Sequence, residues 1–273
     1  MAEDDQRLLE LARLGQPEAL EQLLERHQAQ VYRFGLKMCR DPEDAKDVLQ
    51  DTLLSVARNV RDFRGSSSIS TWLYSVARSF CVKKRRKSKF APKEAPSSID
   101  GAAEQIVDPA RTADEAIASR QVERALEAAI GALEPMYREV LLLRDVEGLT
   151  APEVARITGA SVQAVKSRLH RARLAVRAQI APLLGIPTDL PTAGETCPDV
   201  LALFSSHLEG EVDAQICAEM ERHLEVCPRC KGACDSLKRT LSLCHAAGPA
   251  TQIPFAVQAS IKVALRNFLT GTT

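Results

Sequence analysis

The sequence predicts an all-α protein built in several pieces, and three observations predict it. Apolar residues recur at three- and four-residue spacing through residues 5–88 and again from Glu115 to Ile180. Helix starts are marked by Pro17, by Asp41-Pro42-Glu43, by Thr150 with Glu153 and by Ser161. A late cluster of cysteine and histidine has the spacing of a small helical domain held by a metal.

Composition limits what such a protein can be. Its 273 residues suggest about two domains, or three small ones, and 45% hydrophobic content is enough for real cores. Formal net charge is zero, so overall charge gives no reason to bind nucleic acid. The basic charge is local instead. Lys83, Lys84, Arg85, Arg86, Lys87 and Lys89 form one cluster, and Lys166, Arg168, Arg171, Arg173 and Arg177 line a segment without acids. No apolar run approaches the roughly 20 residues that span a bilayer, and residues 1–6 do not read as a signal peptide. A cytoplasmic protein without a membrane partner is expected. In a reducing compartment its eight cysteines read as metal ligands, reactive thiols or core residues rather than disulfides. No triad, phosphate loop or paired carboxylates suggest an enzyme.

The first 88 residues read as successive helices. Leu8, Leu11 and Leu14 mark one stripe; Gly15-Gln16-Pro17 breaks it, and Ala19, Leu20, Leu23 and Leu24 mark the next. A further long helix is expected over His27–Met38. The helix Asp44–Asn59 buries Val48, Leu49, Thr52, Leu53 and Val56, and its other face carries Asp44, Lys46, Asp47, Gln50 and Asp51. A flexible loop from Phe63 to Ser70 precedes a helix capped by Ser70 or Thr71. That helix carries Trp72, Tyr74 and Arg78 into the basic cluster. Cations that track phosphates beside an aromatic that holds a base make a single-strand surface. Trp72, Arg78, Lys83, Lys84 and Arg85 are its candidates, against the simpler reading of Trp72 and Tyr74 as core aromatics.

Residues 89–114 are rich in Pro, Ser and Ala and read as a linker. Helices then follow over Glu115–Ile130 and Met136–Glu147, the second ended by Gly148 in a left-handed cap. Thr150 and Glu153 form a capping box for Ala151–Thr158, a turn falls at Thr158-Gly159-Ala160, and Ser161 caps a long basic helix. This is a helix-turn-helix, whose last helix reads the major groove with its first residues. Val162, Gln163, Lys166 and Ser167 approach base edges, and Arg168 and Arg171 reach bases or phosphate. Arg173 and Arg177 fall to the DNA backbone or solvent, while Val165, Leu169, Ala172 and Leu174 face the core.

Residues 185–196 are a second linker. Beyond it stands Cys197, then His223, Cys227 and Cys230 in the pattern C-x25-H-x3-C-x2-C. The Cys-x2-Cys turn grips one ion with two sulfurs, and His223 lies one helical turn back on the same face. Cys197 completes a Cys3His set, the tetrahedral preference of structural zinc. Leu201, Leu203, Phe204 and Leu208 mark a helix before a turn at Glu209-Gly210-Glu211, and Leu237, Leu241 and Cys244 mark another. The tail, 246–273, carries Phe255, Val257, Ile261, Leu265, Phe268 and Leu269 at amphipathic spacing.

The segments DAKDVLQDTLLSVAR (from Asp44), FRGSSSISTWLYSVAR (from Phe63), LEPMYREVLLLRDVEGLTAPEVA (from Leu133) and VKSRLHRAR (from Val165) resemble the extracytoplasmic-function (ECF) sigma factors of bacterial RNA polymerase. The resemblance covers about residues 5–182. It implies a sigma-2 helical bundle over 1–88, a linker over 89–114 that threads near the polymerase cleft, and a sigma-4 helix-turn-helix domain over 115–184. It also implies core RNA polymerase and promoter DNA as partners. Asp47, Gln50 and Asp51 would dock on the clamp helices of the polymerase. The Phe63–Trp72 loop and the helix after it would melt the −10 element and hold a flipped base, and the helix-turn-helix would read the −35 box. Phe80-Cys81 stands where the family commonly has small polar residues.

Residues 197–245 resemble the zinc-binding anti-sigma domain, normally a separate protein that clamps a sigma factor. Its fusion here implies a small helical zinc-binding C-terminal domain that packs on sigma-2 or sigma-4 and sets their activity. Its zinc would be structural or sensory, and other soft metals suit the same ligands. Metal exchange and thiol oxidation both remain open as signals, and so do the roles of Cys217, Cys234 and Cys244. Two other readings compete: a metal-binding sensor or buffer, and a helix-turn-helix regulator that acts without polymerase.

Overall fold

The computed structural model of the protein describes residues 2–63, 65, 67–88, 113–185, 197–247 and 252–270. Every regular element among them is a helix. The expected linkers fall mostly outside them, at 89–112 and 186–196, as do Lys89 and the side chain of Lys87. The chain divides into two compact units. One is Met1–Gln105 with Arg156–Thr158 and Ala250–Thr273; the other is Ile106–Ala155 with Gly159–Pro249.

The first unit begins with α1 (Ala2–Arg13), α2 (Pro17–Cys39), α3 (Pro42–Asn59) and α4 (Ile69–Ser88). The break expected inside 17–38 is not there: α2 is one continuous helix, because nothing between Leu24 and Val31 interrupts its buried stripe. On α1 the inward residues are Leu8, Leu9 and Ala12, whereas Leu14 is 80% exposed in the turn beyond the helix. The α2–α3 corner is tight. Arg40 adopts a left-handed conformation at the end of α2, and Asp41 accepts a hydrogen bond from the Asp44 amide at 2.8 Å to start α3. Gly35 lets α2 approach α3 closely, since a Cβ there would lie 3.3 Å from the Cα of Ala45. Leu23, Phe34, Val48, Leu49, Val56, Leu73 and Ala77 fill the bundle core.

The cap of α4 is Ser68 rather than Ser70 or Thr71. Its hydroxyl accepts from the Thr71 amide at 3.2 Å, so the helix starts two residues early. Tyr74 is a core aromatic, edge-on to Phe34 at 5.5 Å.

The second unit holds α5 (Ala113–Ala132), α6 (Pro135–Leu141), α8 (Val162–Ile180), α9 (Val200–Leu208), α10 (Ala214–Val226) and α11 (Pro228–Ala246); α7 is Ala151–Thr158. The helix expected over Met136–Glu147 changes character, from α over α6 to a π turn over Leu142–Val146. Gly148 ends it at φ 75°, and the Leu149 amide reaches back to the Leu143 carbonyl at 3.0 Å. Arg138, absent from the sequence expectations, is buried and donates to the carbonyls of Ile130, Gly131 and Leu133. These carbonyls lie at the end of α5, where helical partners run out; that of Ile130 also accepts from the Leu133 amide at 3.2 Å.

The remaining helix, α12 (Phe255–Thr270), packs on α3 within the first unit. It buries Val257, Ile261 and Leu265 but leaves Phe255 85% exposed, so the apolar stripe is narrower than its spacing suggested. Arg58 of α3 lies over the Phe268 ring at 5.7 Å.

Burial separates two leucines of similar sequence context. Leu49→Ala should destabilise the protein by about 2–5 kcal/mol, and Leu14→Ala by no more than about 0.5 kcal/mol. Urea unfolding of the two variants checks this.

Candidate nucleic-acid interface and metal centre

On α3, Asp51 is exposed, Gln50 half-buried and Asp47 half-exposed. On α4, Trp72 is half-buried and stacks on Phe63, with ring centroids 4.6 Å apart and planes at 17°. Arg78 is half-exposed; Lys83 and Arg85 are exposed, and Lys83 sits over the Phe80 ring at 5.0 Å. Lys84 behaves differently. It pairs with Asp47, and with Asp44 at 3.0 Å. Partial burial opposes its charge, but the carboxylates of Asp47 and Asp44 outweigh that and hold it more firmly protonated than an ordinary lysine. One candidate cation and one candidate anion of the sequence reading thus satisfy each other.

The helix-turn-helix is set by local chemistry. The Glu153 carboxylate accepts from the Thr150 amide at 2.9 Å and from its hydroxyl at 2.7 Å. Gly159 turns the chain at φ 70°, and the Ser161 hydroxyl accepts from the Ala164 amide at 3.1 Å. Val162, Gln163 and Ser167 are exposed at the start of α8; Lys166 and Arg168 are half-buried, and Arg171 is exposed 3.4 Å from the Tyr137 hydroxyl.

Two expectations for α8 are overturned. Arg173 does not face DNA or solvent: it is 1% exposed, and Leu174 is only partly buried. The inward stripe runs Val165, Leu169, Ala172, Arg173, Val176, Ile180, and the π turn brings Asp145 against it. Arg173 grips Asp145 with two hydrogen bonds, at 2.7 and 2.8 Å, and reaches Glu209 at 2.8 Å and the Ser205 hydroxyl at 3.1 Å. Burial works against its charge, yet Asp145 and Glu209 hold it above the usual arginine range. Arg177 is buried as well, with two of its nitrogens unpartnered. Burial lowers its affinity for the proton.

Glu209 belongs to the turn after α9, so these contacts join the cysteine-rich segment to the helix-turn-helix. Arg144 adds a bond to Glu209 at 3.1 Å and one to the Leu208 carbonyl at 3.1 Å. Lys166 pairs with Glu211 at 2.7 Å and approaches the Glu209 carbonyl at 3.5 Å. Sequence reading placed Glu209-Gly210-Glu211 in a turn but gave it no partner. The sole signal was two acids in a turn of a chain whose basic helix lacks acids.

Below this turn lies a core of Val200, Phe204, Ala233, Cys234, Leu237 and Leu241, with α11 packed on α9, α10 and α8. Cys230 belongs to that core and to a cluster with Cys197, His223 and Cys227, whose ligand atoms all lie within 4.8 Å of one another. The sulfurs of Cys197 and Cys227 are 3.9 Å apart. Two thiolates on one tetrahedral zinc, each bonded at about 2.3 Å, stand about 3.8 Å apart. His223 Nε2 is buried with no protein partner, the condition of an atom kept for a metal. At the start of α11 the Cys230 amide points at the Cys227 sulfur and lowers its proton affinity. Burial pushes the Cys230 thiol up to about 12 when no metal is bound, with the neighbouring Cys227 adding to it. The donor set and geometry fit a zinc ion. Cys234 and Cys244 are buried core thiols, and Cys217 stands 3.2 Å from His207 Nδ1, apart from the cluster.

Comparison with known proteins places these parts. Family models for sigma-70 region 2 and sigma-70 region 4 match residues 23–90 and 123–176, and a zinc-finger family model matches residues 197–231. The chain is 32% identical to the ECF RNA polymerase sigma factor SigM of Mycobacterium tuberculosis strain H37Rv over 66% of its own length and 85% of that protein's. It is 27% identical to the RNA polymerase sigma-H factor of Pseudomonas aeruginosa, over 67% of this chain and 96% of the other. A solved structure of CnrH with the cytosolic domain of CnrY is similar at 26% identity, over 64% of this chain and 96% of that one, with a TM-score of 0.45. The protein belongs to the family of ECF RNA polymerase sigma factors. Among its described residues no helix is long and apolar enough to cross a membrane.

Two of the ion pairs around this junction, Arg173–Asp145 and Lys166–Glu211, differ in burial and should differ in weight. Asp145→Ala leaves Arg173 short of a buried partner and should cost about 3–5 kcal/mol. Glu211→Ala removes a more exposed pair and should cost less than about 1 kcal/mol. Denaturant unfolding of each variant, read by circular dichroism, checks the ranking.

Proposed function

We propose that the protein directs core RNA polymerase to promoters with −35 and −10 elements, and that its own C-terminal domain restrains it. Residues 1–88 act as the sigma-2 domain, 115–184 as the sigma-4 domain and 197–245 as a built-in zinc-binding restraint, with linkers at 89–114 and 185–196 and a tail at 246–273. Asp47, Gln50 and Asp51 meet the polymerase. Trp72, Arg78, Lys83, Lys84 and Arg85 meet the −10 element. Val162, Gln163, Lys166, Ser167, Arg168 and Arg171 meet the −35 element.

One observation carries the restraint: Lys166, a base-reading candidate near the start of α8, is held by Glu211 and approaches the Glu209 carbonyl. A lysine paired to a carboxylate is neutralised toward phosphate and displaced from a base edge. DNA and the 209–211 turn therefore compete for one side chain. Arg173 and Arg144 anchor that turn from beneath.

Cys197, His223, Cys227 and Cys230 would hold the zinc, which supplies a fixed tetrahedral joint between the start of α9 and the α10–α11 corner. These residues keep α11 in register with α9, and α9 ends in the turn that holds Lys166. Loss of the metal, or oxidation of its thiolates, frees the turn. Lys84 must part from Asp47 before either meets its own partner, which favours joint engagement of polymerase and DNA.

Transcription in vitro with purified core enzyme tests the reading. Full-length protein should give weak promoter-specific transcripts, and a chain ending at Leu184 should give more. The double variant Glu209→Gln/Glu211→Gln should approach the truncated chain. Absence of specific transcripts from every form defeats the sigma reading and favours a regulator that works without polymerase, or a metal buffer. Equal output from all forms removes the restraint alone. Purified protein should also carry about one zinc, as expected of a closed four-ligand site. Cys227→Ser/Cys230→Ser should lose both the zinc and part of the helical circular dichroism.

A further inference from the structure

Two cysteines outside the metal cluster have found each other. Cys39 is the last residue of α2, and Cys81 lies midway along α4. Their sulfurs are 3.4 Å apart, although 42 residues separate them in the chain. A disulfide needs about 2.05 Å between sulfurs. The gap is small enough for side-chain rotation and slight movement of a helix end to close it. Cys39 has such freedom, because the next residue, Arg40, has already left the helix in a left-handed conformation. Exposure is unequal: Cys39 is half-buried, while Cys81 is 4% exposed. A small oxidant therefore meets Cys39 first, and Cys81 is shielded until Cys39 has reacted.

We propose that Cys39 and Cys81 form a reversible dithiol–disulfide centre, with a low-molecular-weight disulfide as the oxidant. The Cys39 thiolate attacks one sulfur of the small disulfide. The new sulfur–sulfur bond forms as the old one breaks, and one thiolate leaves. Cys81, deprotonated as it reacts, then attacks Cys39 Sγ in the mixed disulfide. The second small thiolate leaves and the Cys39–Cys81 bond closes. One small disulfide is reduced to two thiols, and the two protein thiols lose two electrons and two protons. The finished bond closes the chain segment that holds all of α3 and α4 as far as Cys81. It fixes α4 against the end of α2, directly before Lys83, Lys84 and Arg85. This chemistry is separate from the zinc site and does not depend on the function proposed above.

The test uses the full-length, zinc-loaded protein in mixtures of oxidised and reduced glutathione, with free thiols then alkylated. Trypsin isolates residues 38–40 and 79–83 from the peptides of the zinc ligands, so oxidation at either place is read separately. The expected result is a linked pair of these two peptides, lost on treatment with dithiothreitol and absent from Cys39→Ser and Cys81→Ser. Cys81→Ser should instead accumulate glutathione on Cys39, and Cys39→Ser should leave Cys81 unmodified. The oxidised wild type should melt at a higher temperature than its reduced form, a shift missing from both variants. Recovery of both cysteines as alkylated thiols under the most oxidising mixture overturns the proposal. So does a lasting glutathione adduct on wild-type Cys39.

Discussion

Most of the second unit is organised around one buried cation. Arg173 is almost wholly inaccessible, and a lone guanidinium in that position would be ruinously unstable. It is tolerated because two carboxylates and a hydroxyl converge on it. They come from different places: Asp145 from the π turn of the helix-turn-helix, and Ser205 and Glu209 from the cysteine-rich segment. The arginine therefore needs the helix-turn-helix to fold and needs the later segment for full satisfaction. Side-chain packing alone would accept several orientations between two helices. A charge with fixed hydrogen-bond directions accepts one, which sets where the 209–211 turn stands beside α8.

The Cys3His cluster lies at the other end of the same segment. Cys230 is shared between the cluster and the apolar core of α9 and α11. Cys197 precedes α9, and Cys227 and Cys230 open α11, so the cluster fixes where two helices begin. Few residues lie in this core, and a core so small rarely suffices without a metal or crosslink. Arg173 thus holds the segment at one end, and the Cys3His cluster gathers the starts of its helices at the other.

The features that could be read in the sequence are those decided within a few residues. The Asp41, Thr150–Glu153 and Ser161 caps, the glycine turns and the Cys3His spacing all depend on neighbours in the chain, and each stands where its pattern put it. The misreadings concern side chains whose environment is supplied from afar. Arg173 looks like one more cation on a basic helix until Asp145, 28 residues away, and Glu209, 36 residues away, are brought to it. The pairing of Lys84 with Asp47, 37 residues away, was likewise not visible in the sequence. The π turn was hidden because it opens on good α-helix formers, Leu142, Leu143 and Arg144. The continuous α2 was divided only because its middle, from Glu25 to Gln30, is polar.

The packing of α12 on α3 has a topological consequence. The chain leaves the first unit, builds the second and returns to the first with its last helix. In chain order the second unit is therefore an insertion between parts of the first rather than an appendage at one end. A domain hung from one end explores a volume set by linker length alone. One fastened at both ends is a closed loop, and the entropy that it regains on release is smaller. Detachment of α12 from α3 would turn the loop into a pendant. Val257, Ile261 and Leu265, the buried face of α12, are the residues on which that closure rests.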